Sequence, residues 1–290
     1  VRTRPLGAVM NDSAYRSLRF SRLPGVLFVT IDAPPMNLLD VPLLAELERF
    51  STEVERDGDV NVIVFASADP DFFLAHYDIH DLLQRGATQP PVRTGVLKRF
   101  HAMLERYRTL PQLTIAQLEG AARGGGAEFA MALDVRFGAI GRAVLGQPET
   151  ALGIIPGGGA TQLLPRLVGR ARALEIIMSG RDVDAETAER YGLINRAVPA
   201  DEIAAVVREL AMRIGSHPGD AVRAAKRAVD AHTLPGHLGF LEEAELFGKQ
   251  ITTSTARHRM RAFLRAGGQT REGELRFAQL AAGLAAEQGQ

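Results

Sequence analysis

Apolar residues recur along this chain in two rhythms, one of period two and one near 3.6, and their order predicts the architecture. Val26-Leu27-Phe28-Val29-Thr30-Ile31 is a β-rich run stopped by Asp32-Ala33-Pro34-Pro35. After it, Leu43, Leu44, Leu47, Phe50 and Val54 share one helical face, and Asp40 stands where a cap would accept from the first turn. Residues 60–66 read as a second buried strand, with Asp69-Pro70-Asp71 turning the chain. Residues 86–93 read as a surface excursion before a helix over 97–107. Further strands are predicted at 113–118, 135–140, 144–145 and 194–198, with helical patterns at 125–132, 163–167 and 171–178. From residue 200 onward the pattern is helical, broken at His217-Pro218-Gly219, Leu234-Pro235-Gly236 and Gly267-Gly268.

Strands that alternate with helices, then helices alone, predict an α/β core followed by a helical C-terminal region. The divisions expected are a tail and edge strand over 1–22, a core over 23–210 and a helical region over 211–290. A hydrophobic fraction of 46% suffices for a sizeable core. The 34 Lys and Arg balance 34 Asp and Glu, so no overall field draws the chain to nucleic acid or an anionic membrane. The absence of cysteine excludes disulfides, thiol catalysis and Cys-based zinc sites, and no metal site is expected. No apolar run is long enough for a membrane span, and residues 1–13 lack the apolar stretch of a secretory signal. A cytoplasmic protein is the expectation.

The chemistry concentrates in Arg123-Gly124-Gly125-Gly126-Ala127-Glu128 and in Gly146-Gln147-Pro148-Glu149. Glycines at a helix start let a ligand approach the backbone, where unpaired N–H groups and the helix dipole stabilise developing negative charge. The same triplet also suits plain close packing of a helix on a strand. No Gly-Lys-Ser/Thr follows either glycine cluster, so a Walker loop is excluded, and the glycine spacing disagrees with a dinucleotide fingerprint. No serine lies in the 123–128 loop to support a peptidase. Glu128 alone is explained by favourable dipole placement and Glu149 alone by a turn. Together beside an amide donor, they suit proton transfer by two differently tuned carboxylates.

Residues 114–134 and 146–162, which contain these two motifs, are similar to the central signatures of the crotonase, or enoyl-CoA hydratase/isomerase, superfamily. Residues 167–181 and 188–195 continue the resemblance, which covers roughly residues 24–265. It implies a crotonase-like spiral of ββα units with a helical C-terminal region that trimerises, often as a dimer of trimers. It also implies acyl-CoA thioester substrates and no cofactor beyond the coenzyme A that the substrate carries. A thioester enolate would be held by two backbone amides, one mapping onto Gly125. The other maps onto Tyr77, within Phe73-Leu74-Ala75-His76-Tyr77-Asp78-Ile79, where Ala75, Asp78 and Ile79 complete the substrate-binding segment. In hydrating members two glutamates flank the enoyl group; Glu128 would activate water and Glu149 would deliver a proton to Cα.

Two departures stand out. His76 replaces the motif glycine and Tyr77 a small residue, so that His76, like Gly124, is a candidate modulator of the site. His76 reads either as a packed or solvent-facing loop residue or, with Tyr77, as an imidazole or phenol near the acyl pocket that changes the substrate range or adds acid–base chemistry. The basic stretch expected after Phe263 is Arg265-Ala266-Gly267-Gly268-Gln269, leaving Arg257, His258, Arg259 and Arg261 either to meet CoA phosphates or to form a solvated basic face. Hydration of a 2-enoyl-CoA is the leading expectation. Isomerisation, thioester hydrolysis or C–C cleavage on the same fold is the alternative, and a non-catalytic acyl-CoA binder or oligomeric scaffold is a third.

Overall fold

Two sheets divide the strands. The larger holds β1 (Leu18–Leu23), β2 (Gly25–Ile31), β3 (Val60–Ser67), β5 (Leu113–Leu118), β7 (Val135–Ala139) and β10 (Arg196–Val198), in that spatial order. The smaller holds β4 (Phe72–Leu74), β6 (Ala121–Arg123), β8 (Val144–Gly146) and β9 (Val183–Asp184). The β1–β2 and β8–β9 pairs are antiparallel and all others are parallel. The computed structural model describes residues 14–88, 98–233, 244–245, 247–249 and 251–280.

Each turn of the chain lays one strand in the larger sheet and a short one in the smaller before entering a helical segment. β3 and β4 lead to α2 (Ile79–Thr88), β5 and β6 to α4 (Gly125–Ala132), and β7 and β8 to the 3-10 turn Glu149–Leu152. Parallel strands covered on both faces need continuous apolar runs, which is why β3 is Val-Asn-Val-Ile-Val-Phe-Ala-Ser and buried over its first six residues. This is the α/β spiral of ββα units that the family resemblance implies.

Helix α1 (Val41–Val54) starts where anticipated, with Asp40 accepting from Leu43 N at 2.8 Å. Its buried face meets α3 (Arg99–Thr109) and α4 around Phe65, Tyr107 and Phe129, whose ring centroids lie 4.9–5.6 Å apart in edge-to-face pairs. The Tyr107 hydroxyl, fully buried, donates to Leu47 O at 2.8 Å. That carbonyl lies inside α1 and serves the helix ladder as well, so Tyr107→Phe loses one bond without orphaning its acceptor. We expect a cost of about 1 kcal/mol in urea unfolding with an unaltered m-value.

The excursion expected over 86–93 is corrected at its start, because α2 continues through Thr88; residues 89–97 lie outside the described residues. Gly86 belongs to the helix. A Cβ there would overlap Ile251 O, so this glycine serves a close approach of two backbones and not a turn. Further helices among the described residues include α5 (Ala160–Val168), α6 (Arg170–Ser179), α7 (Ala185–Tyr191), α8 (Ile203–Gly215), α9 (Gly219–Thr233), α10 (Ser254–Arg265) and α11 (Arg271–Leu275). Helix α8 runs through residue 210 and packs Ile203, Val207 and Ala211 against Val26, Val62 and Val64 of the larger sheet. From α9, Lys226 donates to Gln112 O at 3.0 Å and to Asp134 at 2.6 Å.

Candidate active site

Three neighbouring strands of the smaller sheet run parallel and end at one edge. β4 pairs with β6, β6 pairs with β8, and Arg123 stands opposite Gly146. The residues that follow each strand therefore emerge together: Ala75-His76-Tyr77 after β4, Gly124-Gly125 after β6 and Gln147-Pro148-Glu149 after β8. Carboxyl ends of parallel strands are where α/β folds place ligands. The bond from Gly124 N to Gly146 O, 2.9 Å, extends the ladder one residue into the loops.

Gly124 caps α4 with φ 48° and ψ −124°, in left-handed territory that favours glycine. A Cβ on Gly124 would lie 2.7 Å from Glu149 Oε1 and 3.7 Å from His76 Cβ, so both side chains flank it. At Gly125 an added Cβ would meet Tyr77 Cβ at 3.1 Å and Phe100 Cζ at 3.5 Å. Glu128, one turn into α4, is buried and accepts from Gly158 N at 2.8 Å and Ala160 N at 3.0 Å, both on Oε1. Gly158 borders the other oxygen: a Cβ there would overlap Phe100 and Glu128 Oε2. The turn Gly157-Gly158-Gly159 thus orients one carboxylate oxygen and packs closely beside the other.

The backbone direction at Tyr77 follows from its bridge to Leu39. Leu39 N donates to His76 O (2.9 Å) and Asp78 N donates to Leu39 O (3.1 Å), so the N–H and C=O of Tyr77 point to the opposite side. The Tyr77 ring lies 5.6 Å from Phe100, and its hydroxyl donates to Asp81 (2.9 Å) and accepts from Arg85 (2.8 Å). Burial pushes this phenol well above its ordinary pKa, which excludes it as a phenolate near neutrality. His76 donates from Nδ1 to Tyr77 O at 2.8 Å and pairs through Nε2 with Glu274 at 2.9 Å.

His76, Tyr77, Ile79, Gly124, Gly125, Glu128 and Glu149 line one cavity, which encloses about 1010 Å³ of empty space with its open mouth included. Ala75 and Asp78 do not line it. Ala75 packs with Met36, Phe72 and Ala121, while Asp78 accepts from His80 N at the start of α2 and from Gln269 Nε2. Phe247 and Phe263 are both on the wall. Arg259 donates to Ala151 O and Arg257 to Thr252 O, so these two arginines hold the chain's own backbone. The sequence reading missed Leu82, Phe100, His101, Leu152 and Ile154 on the wall, whose local sequence does not distinguish them from ordinary core residues. No helix among the described residues is long and apolar enough to cross a membrane.

Residues 22–269 match the enoyl-CoA hydratase/isomerase family. The chain belongs to this family. It is 33% identical to the short-chain-enoyl-CoA hydratase of Clostridium acetobutylicum, over 82% of this chain and 91% of that protein. A crystal structure from Streptomyces avermitilis, whose protein carries a provisional enoyl-CoA hydratase name, is 41% identical with TM-score 0.85, covering 94% of this chain and 99% of that one. The enoyl-CoA hydratase of Bacillus anthracis is 31% identical with TM-score 0.68, covering 86% and 96% respectively. The fold is therefore that of the crotonase superfamily, and the chain is an acyl-CoA enzyme of the enoyl-CoA hydratase/isomerase type.

Proposed function

We propose that the chain hydrates a 2-enoyl-CoA to a 3-hydroxyacyl-CoA. The observation that carries this reading is the pair of buried carboxylates, Glu128 and Glu149, on the wall that also holds the Tyr77 and Gly125 backbones. The thioester oxygen would sit between the Tyr77 and Gly125 amides, the second backed by the N-terminal end of α4. Glu128, held by two N–H donors on Oε1, lines the cavity and is placed to act as the base. It takes a proton from water as the oxygen attacks Cβ. The enolate so formed accepts a proton at Cα from Glu149, and exchange with solvent returns the proton from Glu128 to Glu149. No cofactor beyond the substrate's own coenzyme A enters this scheme. An oxyanion hole, in this reading, needs only backbone donors, so the bulk of Tyr77 is tolerated.

Self-association as a trimer or dimer of trimers belongs to the same reading. It is supported by the family resemblance and by Met178, Val229 and Leu275, which are large, apolar and exposed on the single chain. Light scattering behind size exclusion checks it: a monomer at micromolar concentration contradicts it.

The reaction is tested with a panel of short- and medium-chain 2-enoyl-CoAs, following loss of the conjugated-thioester absorbance. We expect turnover with saturation. No rate above a Glu128→Gln/Glu149→Gln control across the panel would overturn hydration, and mass spectrometry of the product separates it from isomerisation and hydrolysis.

A further inference from the structure

His76 occupies a position where its chemistry is fixed by its neighbours. Nδ1 faces the carbonyl of Tyr77, which only accepts, so Nδ1 carries a proton. Nε2 faces Glu274, whose Oε1 already accepts from Gln269 N at 2.7 Å and so behaves as a carboxylate. With acceptors on both sides the ring is an imidazolium. Both side chains are buried, at 6% and 0% side-chain exposure, and the imidazole packs against the rings of Phe263 and Phe277. The Nδ1 bond closes a ring of atoms through Cβ, Cα and the 76–77 peptide, whose N–H is the amide of Tyr77. Glu274 belongs to α11, 198 residues away, and that segment is tied again to the same loop by Gln269 to Asp78, and to the turn before β4 by Arg271 to Asp69 and Asp71.

We propose that His76 is a positioning residue, an imidazolium held by Glu274 that fixes the Tyr77 amide for the thioester oxygen and so makes the C-terminal segment part of the oxyanion loop. Its effect on rate rests on the hydration reading above; the geometry of the lock does not. The imidazole donates toward the loop and the C-terminal carboxylate, which leaves it no place as an acid or base toward substrate. Of the readings open in the sequence, the packed residue is what the structure shows, with the ring buried against Phe263 and Phe277, and the positioning role is added to it.

The charged groups facing the ring are Glu274 from α11, Arg123 from β6, which is itself paired with Asp182 at 2.7 Å, and the carboxylate of Glu149 across Gly124. Burial, the largest single influence, pulls the imidazole pKa down, but the charge and hydrogen bond of Glu274 together with the Tyr77 carbonyl turn the net direction upward. For Glu274 burial is again the largest single influence and pushes upward, but His76, the Gln269 N–H and Arg123 together bring the net direction down. A raised histidine pKa means the lock is complete below its ordinary value and is lost as pH rises through the folded value. On deprotonation Nε2 presents a lone pair to Glu274, and the His76–Glu274 bond is lost while the Gln269 and Arg271 ties remain.

The test uses the full chain. ¹⁵N spectra of the imidazole are expected to show both nitrogens protonated at neutral pH, and the Tyr77 amide resonance is expected to follow the ring's titration. In Glu274→Gln the imidazole midpoint falls by about one pH unit or more, as loss of an adjacent opposite charge requires. With a 2-enoyl-CoA as substrate, the alkaline decline of kcat falls at the same pH as the imidazole midpoint and moves down with it in Glu274→Gln. KM changes less than kcat, since the amide binds oxygen most strongly once it is an enolate. A neutral ring at neutral pH, a Tyr77 amide blind to the titration, or an alkaline decline that stays in place while the ring pKa moves would each overturn the proposal. Absence of turnover in the parent chain would defeat hydration alone, because the spectra decide the lock without substrate.

Discussion

Glu128→Gln lowers kcat for 2-enoyl-CoA hydration by at least about 10²-fold, the usual contribution of a general base, with little change in melting temperature. The fold should tolerate the change because the amide oxygen of glutamine can accept from Gly158 and Ala160 as the carboxylate does. What the amide lacks is the basicity of a carboxylate on the cavity wall. Glu149→Gln is expected to fall comparably, through loss of the proton delivered to Cα. The double variant should lie little below the worse single one, since two groups acting on one addition do not contribute independently. Initial rates at saturating substrate, paired with a thermal melt, check this. A Glu128→Gln protein within tenfold of the parent would move the base elsewhere, and His101, buried on the same wall, would be the next group to vary.

Legibility followed the range over which each signal acts. Helix α1 and its Asp40 cap were readable because cap, first-turn partner and apolar face lie within fifteen residues. The span of α4, Gly125–Ala132, followed from a glycine opening and a short apolar run. Strands β4, β6 and β9, of three, three and two residues, are too short to show a period, and they form most of the sheet that carries the site. The sequence pattern alone does not show that three strand ends meet at one edge; the family resemblance supplied that grouping. Ala75 and Asp78 show its limit: both fall in the matched segment, yet one packs inward and the other accepts bonds at the start of α2. The partner of His76 was out of reach for a plainer reason. Nothing local marks Glu274, a glutamate in a five-residue helix, as the one that comes to rest on an imidazole.

Gly126→Ala should damage stability and activity together, and for the same reason. A Cβ at Gly126 would overlap the carbonyl of Leu74 and stand 2.8 Å from its Cβ, so α4 and β4 must separate. Backbone cannot rotate aside as a side-chain tip can, and overpacking of this kind costs about 1–3 kcal/mol. The displacement is directed at the site. Leu74 ends β4 and leads straight to Tyr77, while Gly126 follows Gly125, so the strain lies between the two proposed amide donors. An ångström of misplacement there is worth on the order of 10²-fold in rate. Gly58→Ala supplies the comparison: it adds the same methyl where nothing lies within 4 Å, and should change stability by under about 0.5 kcal/mol. If Gly126→Ala lost stability but kept its kcat, the close packing of α4 on β4 would serve the fold alone. The amides of Tyr77 and Gly125 would then not act as one site.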